Sequence, residues 1–300
     1  MTYDYVAPGL DTKVYYDPAM FQRERETLFR DNGQILGLAQ DVAMHNDFIT
    51  RNVAGKEVIV QNFQGELKGF INVCAHRHAQ LHTKSCGNSM LRCPYHGWVY
   101  NSEGVPVGLP GNKKFFGFDR EEKKKHSLTK VAVAKSGPFV FVRLNANGPS
   151  LEEWMGPMLE VWNHIKPLFS DLYSQAEWEW KSNWKIGVES TIEGYHVPFV
   201  HSESFSPITS SDKSNATHGQ GAENSHQSDM SFLKGEVKYL SAHSHATTFL
   251  DQQGTDYIQG ISTRLGLTGS ERYKHYDHFH LFPNILLIVS GGVSVGAQIY

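Results

Sequence analysis

Apolar and polar positions change in short bursts along the first half of the chain. Val58-Ile59-Val60, Gly69-Phe70-Ile71-Asn72-Val73 and Phe139-Val140-Phe141-Val142 are brief β-rich runs set between Gly, Asn and Pro breakers. Strands so short, with turns so frequent, predict a small antiparallel β domain over residues 34–148. Ahead of it, Asp17-Pro18 opens a helix, because Asp is a good cap and Pro suits the first helical position. The run Ala19 to Arg30 sustains that helix and Asn32-Gly33 ends it. Residues 1–33 are expected to pack with the second half of the molecule.

Beyond the β domain the spacing turns helical. Ser150-Leu151-Glu152-Glu153 reads as a capping box and predicts a helix to about Phe169. The linker Asn145 to Pro149 then marks the start of a second domain, 149–300. A further helix is expected over about Lys185 to His196. Ser204 to Ser231, rich in Ser, Asn, Gly, His and Gln, reads as a long loop: a lid over a pocket, or a plain solvated insertion. Strands resume at Gly235 to Leu240, and Asn284 to Ser290 reads as a buried strand. Alternation puts His278 and His280 on one strand face. Glu121 to Lys125 reads as a solvated turn. The fold class expected is α+β.

Composition narrows the function classes. The 300 residues are 40% hydrophobic and 20% charged, enough for a real core. A net charge of −3 argues against nucleic acid as the main partner. Three cysteines exclude a disulfide-stapled scaffold. The opening MTYDYVAPGLDTKVYY has no basic and apolar signal regions. The stretch Leu281 to Gly296 is short for a membrane span and carries Pro283, Gly291 and Gly292. A cytoplasmic protein with no membrane partner is expected. The 16 histidines direct attention to metals.

The strongest chemical signal is Cys74-Ala75-His76, then sixteen residues, then Cys93-Pro94-Tyr95-His96-Gly97-Trp98. Each segment offers one thiolate and one imidazole. That donor set suits a Rieske [2Fe–2S] cluster, with two sulfurs on one iron and two nitrogens on the other. A zinc site is the rival, although zinc modules usually pair Cys with Cys and His with His in each half.

A second constellation follows. Helical spacing puts Glu189, Glu193 and His196 on one face. His201, five residues past His196, is off that face, but Pro198 disturbs the helix, and a π-type widening or a helix end could bring both imidazoles together. Two His and one carboxylate form the facial triad of non-haem iron(II) oxygenases. Alone, His-x4-His is a weak signal that two ordinary helix-end histidines would also give.

Taken in order, Asn72 to Arg77, Cys93 to Trp98 with Tyr100 and Gly104, then Asn183-Trp184-Lys185, Glu189 and Glu193-Gly194-Tyr195-His196 with His201, the chain resembles the catalytic α subunit of Rieske non-haem iron oxygenases. The resemblance runs from Asp17-Pro18 to Phe282-Pro283-Asn284. It departs at His78, where many relatives carry Gly. The resemblance implies Cys74, His76, Cys93 and His96 as cluster ligands and His196 and His201 as iron ligands. It implies Glu193 as the carboxylate linking a cluster histidine to the iron site. Glu there, where many ring-hydroxylating dioxygenases carry Asp, is similar to relatives acting on quaternary amines, though not confined to them. It also leaves no loop-bridging disulfide, and Cys86 is expected to be a structural thiol.

The implied fold is a small antiparallel Rieske domain beside a helix-covered antiparallel sheet of the START, or helix-grip, kind. The implied activity is mono- or dioxygenation of an aromatic or small organic substrate with O2. Electrons would come from NAD(P)H through a separate reductase or ferredoxin, in a homotrimer or an α–β hetero-oligomer. The family's third iron ligand is a downstream Asp, and no acidic residue follows Asp277. The chain is therefore expected to be C-terminally incomplete, with Asp251, Asp256 and Asp277 as weak internal substitutes. The rival function is a Rieske electron carrier with a non-catalytic second domain.

Overall fold

A computed structural model describes residues 11–169, 176–192, 196–201, 203, 235–240, 242–249, 255–256, 259–260, 263–264, 275–290 and 294–299. The chain divides into two compact units, one of Pro18–Trp154 and one of Met1–Asp17 with Met155–Tyr300. Among the described residues no helix is long and apolar enough to cross a membrane.

A short helix α1 (Lys13–Tyr16) precedes α2 (Pro18–Glu24), which widens into a π-helical turn over Arg25–Phe29. The Asn32 N–H and side-chain amide both donate to the Leu28 carbonyl, at 3.2 and 2.8 Å, and end the helix as the Asn32-Gly33 signal predicts. Helix α2 is tied to the β-rich unit. Arg25 Nε donates to the Ala54 carbonyl at 3.0 Å, and Trp154 Nε1 donates to Asn32 Oδ1 at 2.9 Å.

That unit carries β1 (Gln34–Leu38), β2 (Asp47–Val53), β3 (Lys56–Phe63), β4 (Glu66–Ile71), β5 (Cys86–Asn88), β6 (Val99–Tyr100), β7 (Pro106–Gly108), β8 (Lys130–Ser136) and β9 (Phe139–Arg143). Seven form one sheet in the order β1-β9-β8-β4-β3-β2-β5, all antiparallel, and β6 and β7 form a separate hairpin. Both sheet faces are covered. Ile59 and Phe48 join one buried cluster with Phe70 and Trp98, whereas Val58, Val60 and Ile49 join a second with Val140 and Val142. This is why Val58-Ile59-Val60 is continuously apolar rather than alternating. Between the strands lie two short helices, α3 (Asn112–Phe115) and α4 (Arg120–Lys125). The second corrects the expected turn at 121–125. Asp119 Oδ1 accepts from the Glu122 N–H at 2.8 Å, and acids in the first turn face lysines in the last.

The capping box forms as read, with Ser150 N–H donating to Glu153 Oε2 at 2.7 Å and Glu153 N–H donating to Ser150 Oγ at 3.1 Å. The helix it starts is broken, however, into α5 (Leu151–Met155) and α6 (Met158–Ile165). Gly156 sits between them at φ 50°, in the left-handed region that ends helices, and Pro157 restarts the chain. After a 3₁₀ turn at Lys166–Leu168 come α7 (Trp184–Ile192) and α8 (Val197–Val200).

The second sheet is a five-stranded antiparallel meander, β10 (Gly235–Leu240), β11 (His243–Phe249), β12 (His275–Leu281), β13 (Ile285–Ser290) and β14 (Ser294–Ile299). Ile285, Leu286 and Leu287 are fully buried in the expected interior strand, and α7 lies against β13. The architecture is the expected α+β pairing of antiparallel sheets with helices. The loop expected at 204–231 lies outside the described residues.

Candidate metal centres

The Cys74-x-His76 and Cys93-x-x-His96 loops close in the same way. In the first, Cys74 N–H donates to the Ala79 carbonyl at 2.8 Å and His78 N–H donates back to the Cys74 carbonyl at 3.0 Å. In the second, Cys93 N–H donates to the Trp98 carbonyl at 2.8 Å and Gly97 N–H donates to the Cys93 carbonyl at 3.0 Å. The fourth residue after each cysteine is left-handed: Gly97 at φ 71° and His78 at φ 56°. His78 thus occupies the position that glycine fills in the second loop.

These matched loops bring the four expected donors together. Cys74 and Cys93 are buried in the cluster around Phe70 and Trp98, and burial pushes the Cys74 thiol up from its ordinary value. The rings of His76 and His96 stand 4.6 Å apart. His76 stacks flat on Trp98 at 4.8 Å and its Nδ1 is buried without a hydrogen-bond partner. A buried imidazole nitrogen with nothing to bond is costly unless it binds something. Burial also lowers the His76 pKa, which keeps the ring in the neutral form that ligates metals. Two thiols, two imidazoles and an orphaned nitrogen fit a [2Fe–2S] group of the Rieske kind.

The surrounding groups orient the donors. Tyr100 Oη accepts from the Ala75 N–H at 3.1 Å and lies 3.1 Å from Cys74 Sγ. Tyr100 stood in the sequence motif, but nothing in spacing showed that its hydroxyl reaches a sulfur. Cys86 is exposed on edge strand β5 rather than a buried structural thiol, and all three cysteines are free. Outside the loops, Phe116 meets the His76 ring edge-on at 5.7 Å.

In the other unit, α7 ends at Ile192 and α8 restarts at Val197. Both Phe199 and Val200 N–H groups donate to the His196 carbonyl, at 3.0 and 2.8 Å, so His196 stands at the head of a one-turn helix. Pro198 is accepted in that first turn. His201 follows the same turn, and the His196 and His201 rings come within 5.2 Å of each other at 70°. The helix break therefore unites the two histidines, as the sequence allowed. Glu189 is held one turn earlier, where the Tyr15 hydroxyl donates to its carboxylate at 2.9 Å. That link across 174 positions had no sequence signal.

Glu193 and Asp251 lie outside the described residues. Asp256 is exposed, and Asp277 is half-buried on β12 opposite Thr247 and Val289. Among the described residues no three His, Cys, Asp or Glu side chains converge on one ion position, so neither Asp256 nor Asp277 completes a triad with the histidine pair.

Residues 32–131 match the family model of the Rieske [2Fe-2S] domain, and residues 169–300 match that of the ring hydroxylating alpha subunit catalytic domain. The chain is 32% identical over 194 residues to the chloroplastic choline monooxygenase of Beta vulgaris, an alignment covering 62% of this chain and 43% of that protein. It is 27% identical over 263 residues to the anthranilate 1,2-dioxygenase large subunit of Acinetobacter baylyi, covering 83% and 55%. Among solved structures, the quaternary ammonium Rieske monooxygenase CntA shares the fold, with a TM-score of 0.72 at 21% identity over 95% of this chain and 69% of that one. The chain spans about half the length of the curated relatives it matches. With a Rieske domain followed by the matching catalytic domain, the chain belongs to the family of Rieske ring-hydroxylating oxygenase α subunits.

Proposed function

We propose that this chain acts as the oxygenase component of a Rieske non-haem iron system. The observation that carries the reading is the pair of equivalently closed loops that bring Cys74, His76, Cys93 and His96 together. In this reading Cys74 and Cys93 hold one iron of a [2Fe–2S] cluster, and His76 and His96 hold the other. His196 and His201 hold a mononuclear Fe(II), and Glu193 is the carboxylate that links a cluster histidine to that site. The metals supply electron storage and O2 activation when bound.

The chain's own groups set the conditions for that chemistry. Tyr100 Oη lies 3.1 Å from Cys74 Sγ, where it would donate to a metal-bound thiolate, and the His76 ring is fixed by its stack on Trp98. The Tyr15 hydroxyl anchors Glu189 on the helix that leads to residue 193. The substrate class is a small organic molecule or aromatic ring. A quaternary amine is favoured among these, because Glu193 and the similarity to choline monooxygenase point the same way. Electrons arrive from NAD(P)H through a separate reductase or ferredoxin, and the assembly is a homotrimer or an α–β hetero-oligomer.

The test is iron and acid-labile sulfide per chain after anaerobic reconstitution. About three irons with two sulfides is the expected result. About two irons with two sulfides would instead support an electron carrier with a non-catalytic second domain. A colourless chain that binds zinc but takes up no sulfide would refute both.

A further inference from the structure

The Rieske unit and the rest of the chain are charged in opposite senses. Residues 18–154 hold 18 Lys and Arg against 13 Asp and Glu, a balance of +5. The remaining residues hold 10 against 18, a balance of −8. Part of the basic surplus lines a groove of about 780 Å³ beside α4. Val107 and Phe118 give it an apolar wall, and Val107 is 51% exposed. Arg120, Lys123, Lys124 and Lys130 supply its cations.

The two carboxylates in the lining are already engaged. Glu103 accepts from Lys130 Nζ at 2.6 Å and lies 3.9 Å from Lys68. Asp119 caps α4 through the Glu122 N–H. Lys124 is paired with Glu121 at 2.9 Å. Arg120 and Lys123 have no carboxylate partner among the described residues.

The groove is also wired to the cluster site by packed rings. Phe118, in its wall, meets Trp98 edge-on at 6.5 Å. Trp98, 2% exposed, stacks on His76 at 4.8 Å and 3°. One aromatic layer thus separates the groove from a proposed cluster ligand.

We infer that this groove is the docking face for an acidic electron donor of the [2Fe–2S] ferredoxin type. The inference rests on the cluster reading above. A central apolar wall with a rim of unpaired cations fits an acidic protein surface with an apolar centre. On docking, one electron leaves the donor's reduced [2Fe–2S] centre, which is oxidised, and reduces the oxidised cluster. Arg120 and Lys123 steer and hold the donor; Phe118 and Trp98 pack between the groove and His76.

The test is stopped-flow reduction of the reconstituted cluster by a reduced plant-type ferredoxin, with dithionite as a reductant that needs no docking. The variant R120E/K123E is expected to slow reduction by ferredoxin about tenfold or more and to flatten its ionic-strength dependence. Its rate with dithionite stays at the wild-type value. K135E, exposed on β8 and outside the groove lining, leaves the ferredoxin rate within a few-fold of wild type. Wild-type rates in R120E/K123E, or equal slowing in K135E, would overturn the groove. So would a wild-type cluster that dithionite reduces and ferredoxin does not. If R120E/K123E changes the oligomeric mass instead, the groove is an interface with the acidic half of a second copy, and the donor assignment fails. A chain that assembles no cluster removes the reading on which the inference stands, an outcome visible in the absorption spectrum before any kinetics.

Discussion

The Tyr100 hydroxyl sits 3.1 Å from Cys74 Sγ while accepting the Ala75 N–H at the same distance. A metal-bound thiolate has no proton to give, so in the loaded protein the hydroxyl would donate its hydrogen to the sulfur while its oxygen accepts the backbone N–H. Burial and the neighbouring Cys74 both raise the Tyr100 pKa, which keeps that hydrogen in place across the usable pH range.

Tyr100→Phe removes this donor without changing ring packing. A hydrogen bond to a cluster sulfur favours the more negative, reduced state. The reduction potential of the reconstituted variant should fall by roughly 40 mV, the one-electron equivalent of about 1 kcal/mol of lost hydrogen bonding. Protein-film voltammetry reads it directly, and an unchanged potential would show that the hydroxyl does not donate to the sulfur.

His78→Gly should stabilise the Rieske unit. His78 sits at φ 56°, at the loop position where the second loop carries Gly97. Relief of the left-handed strain is partly offset by the larger unfolded-state freedom of glycine, leaving a gain of about 0.5–1 kcal/mol. His78→Val, whose branched side chain fits that region worse, should move the guanidinium midpoint the other way.

Gly104→Ala should destabilise by about 2 kcal/mol. Gly104 lies at φ 76°, and an added Cβ would stand 2.7 Å from Phe70 Cε1, inside the cluster that buries Cys74 and Cys93. The drop would be read from the denaturation midpoint of the unloaded chain. A wild-type midpoint would mean that Phe70 moves aside at no cost.

Acid should weaken the fold through two buried histidines. Burial pushes both His82 and His280 down from 6.5. Each is harder to protonate in the folded state, so the unfolded chain binds more protons in this range. Their contribution is therefore fully present above the unfolded value of 6.5 and is lost as pH falls below it. His82 stacks on Phe48 at 3.9 Å and its Nε2 is buried without a partner. His82→Phe should lose less stability than wild type between pH 7 and pH 5, with equal losses counting against this assignment.

Removing one imidazole of the second pair separates the two proposed centres. His196→Ala should bring bound iron from about three to about two per chain while sulfide stays at two and the cluster spectrum is retained. Loss of the cluster spectrum in that variant would mean that His196 supports folding rather than iron.

Several features were legible in the sequence because they depend on neighbours in the chain. The Ser150–Glu153 capping box is a four-residue exchange of hydrogen bonds, and it forms as read. The β runs at 58–60 and 139–142 and the buried strand before Ser290 follow from local apolar patterning. The Cys-x-His and Cys-x-x-His segments announced their chemistry through donor type and spacing alone. The helix expected to run unbroken from 151 shows the limit of such reading. Its pattern continues across Gly156-Pro157, but the left-handed backbone at Gly156 divides it.

What only the tertiary structure decided are relationships between residues far apart in the chain. Tyr100 meets Cys74 because β6 crosses beside the first loop, Tyr15 reaches Glu189 across 174 positions, and Phe118 closes on Trp98 from a separate segment. Composition and periodicity carry no information about such pairs, since any apolar ring or polar tip would satisfy the local pattern equally well. The sequence by itself determined which donors are present and which family they resemble. Packing around the sheet decided which of them face one another, and which cations have no carboxylate partner among the described residues, because burial and distance exist only once the chain has folded.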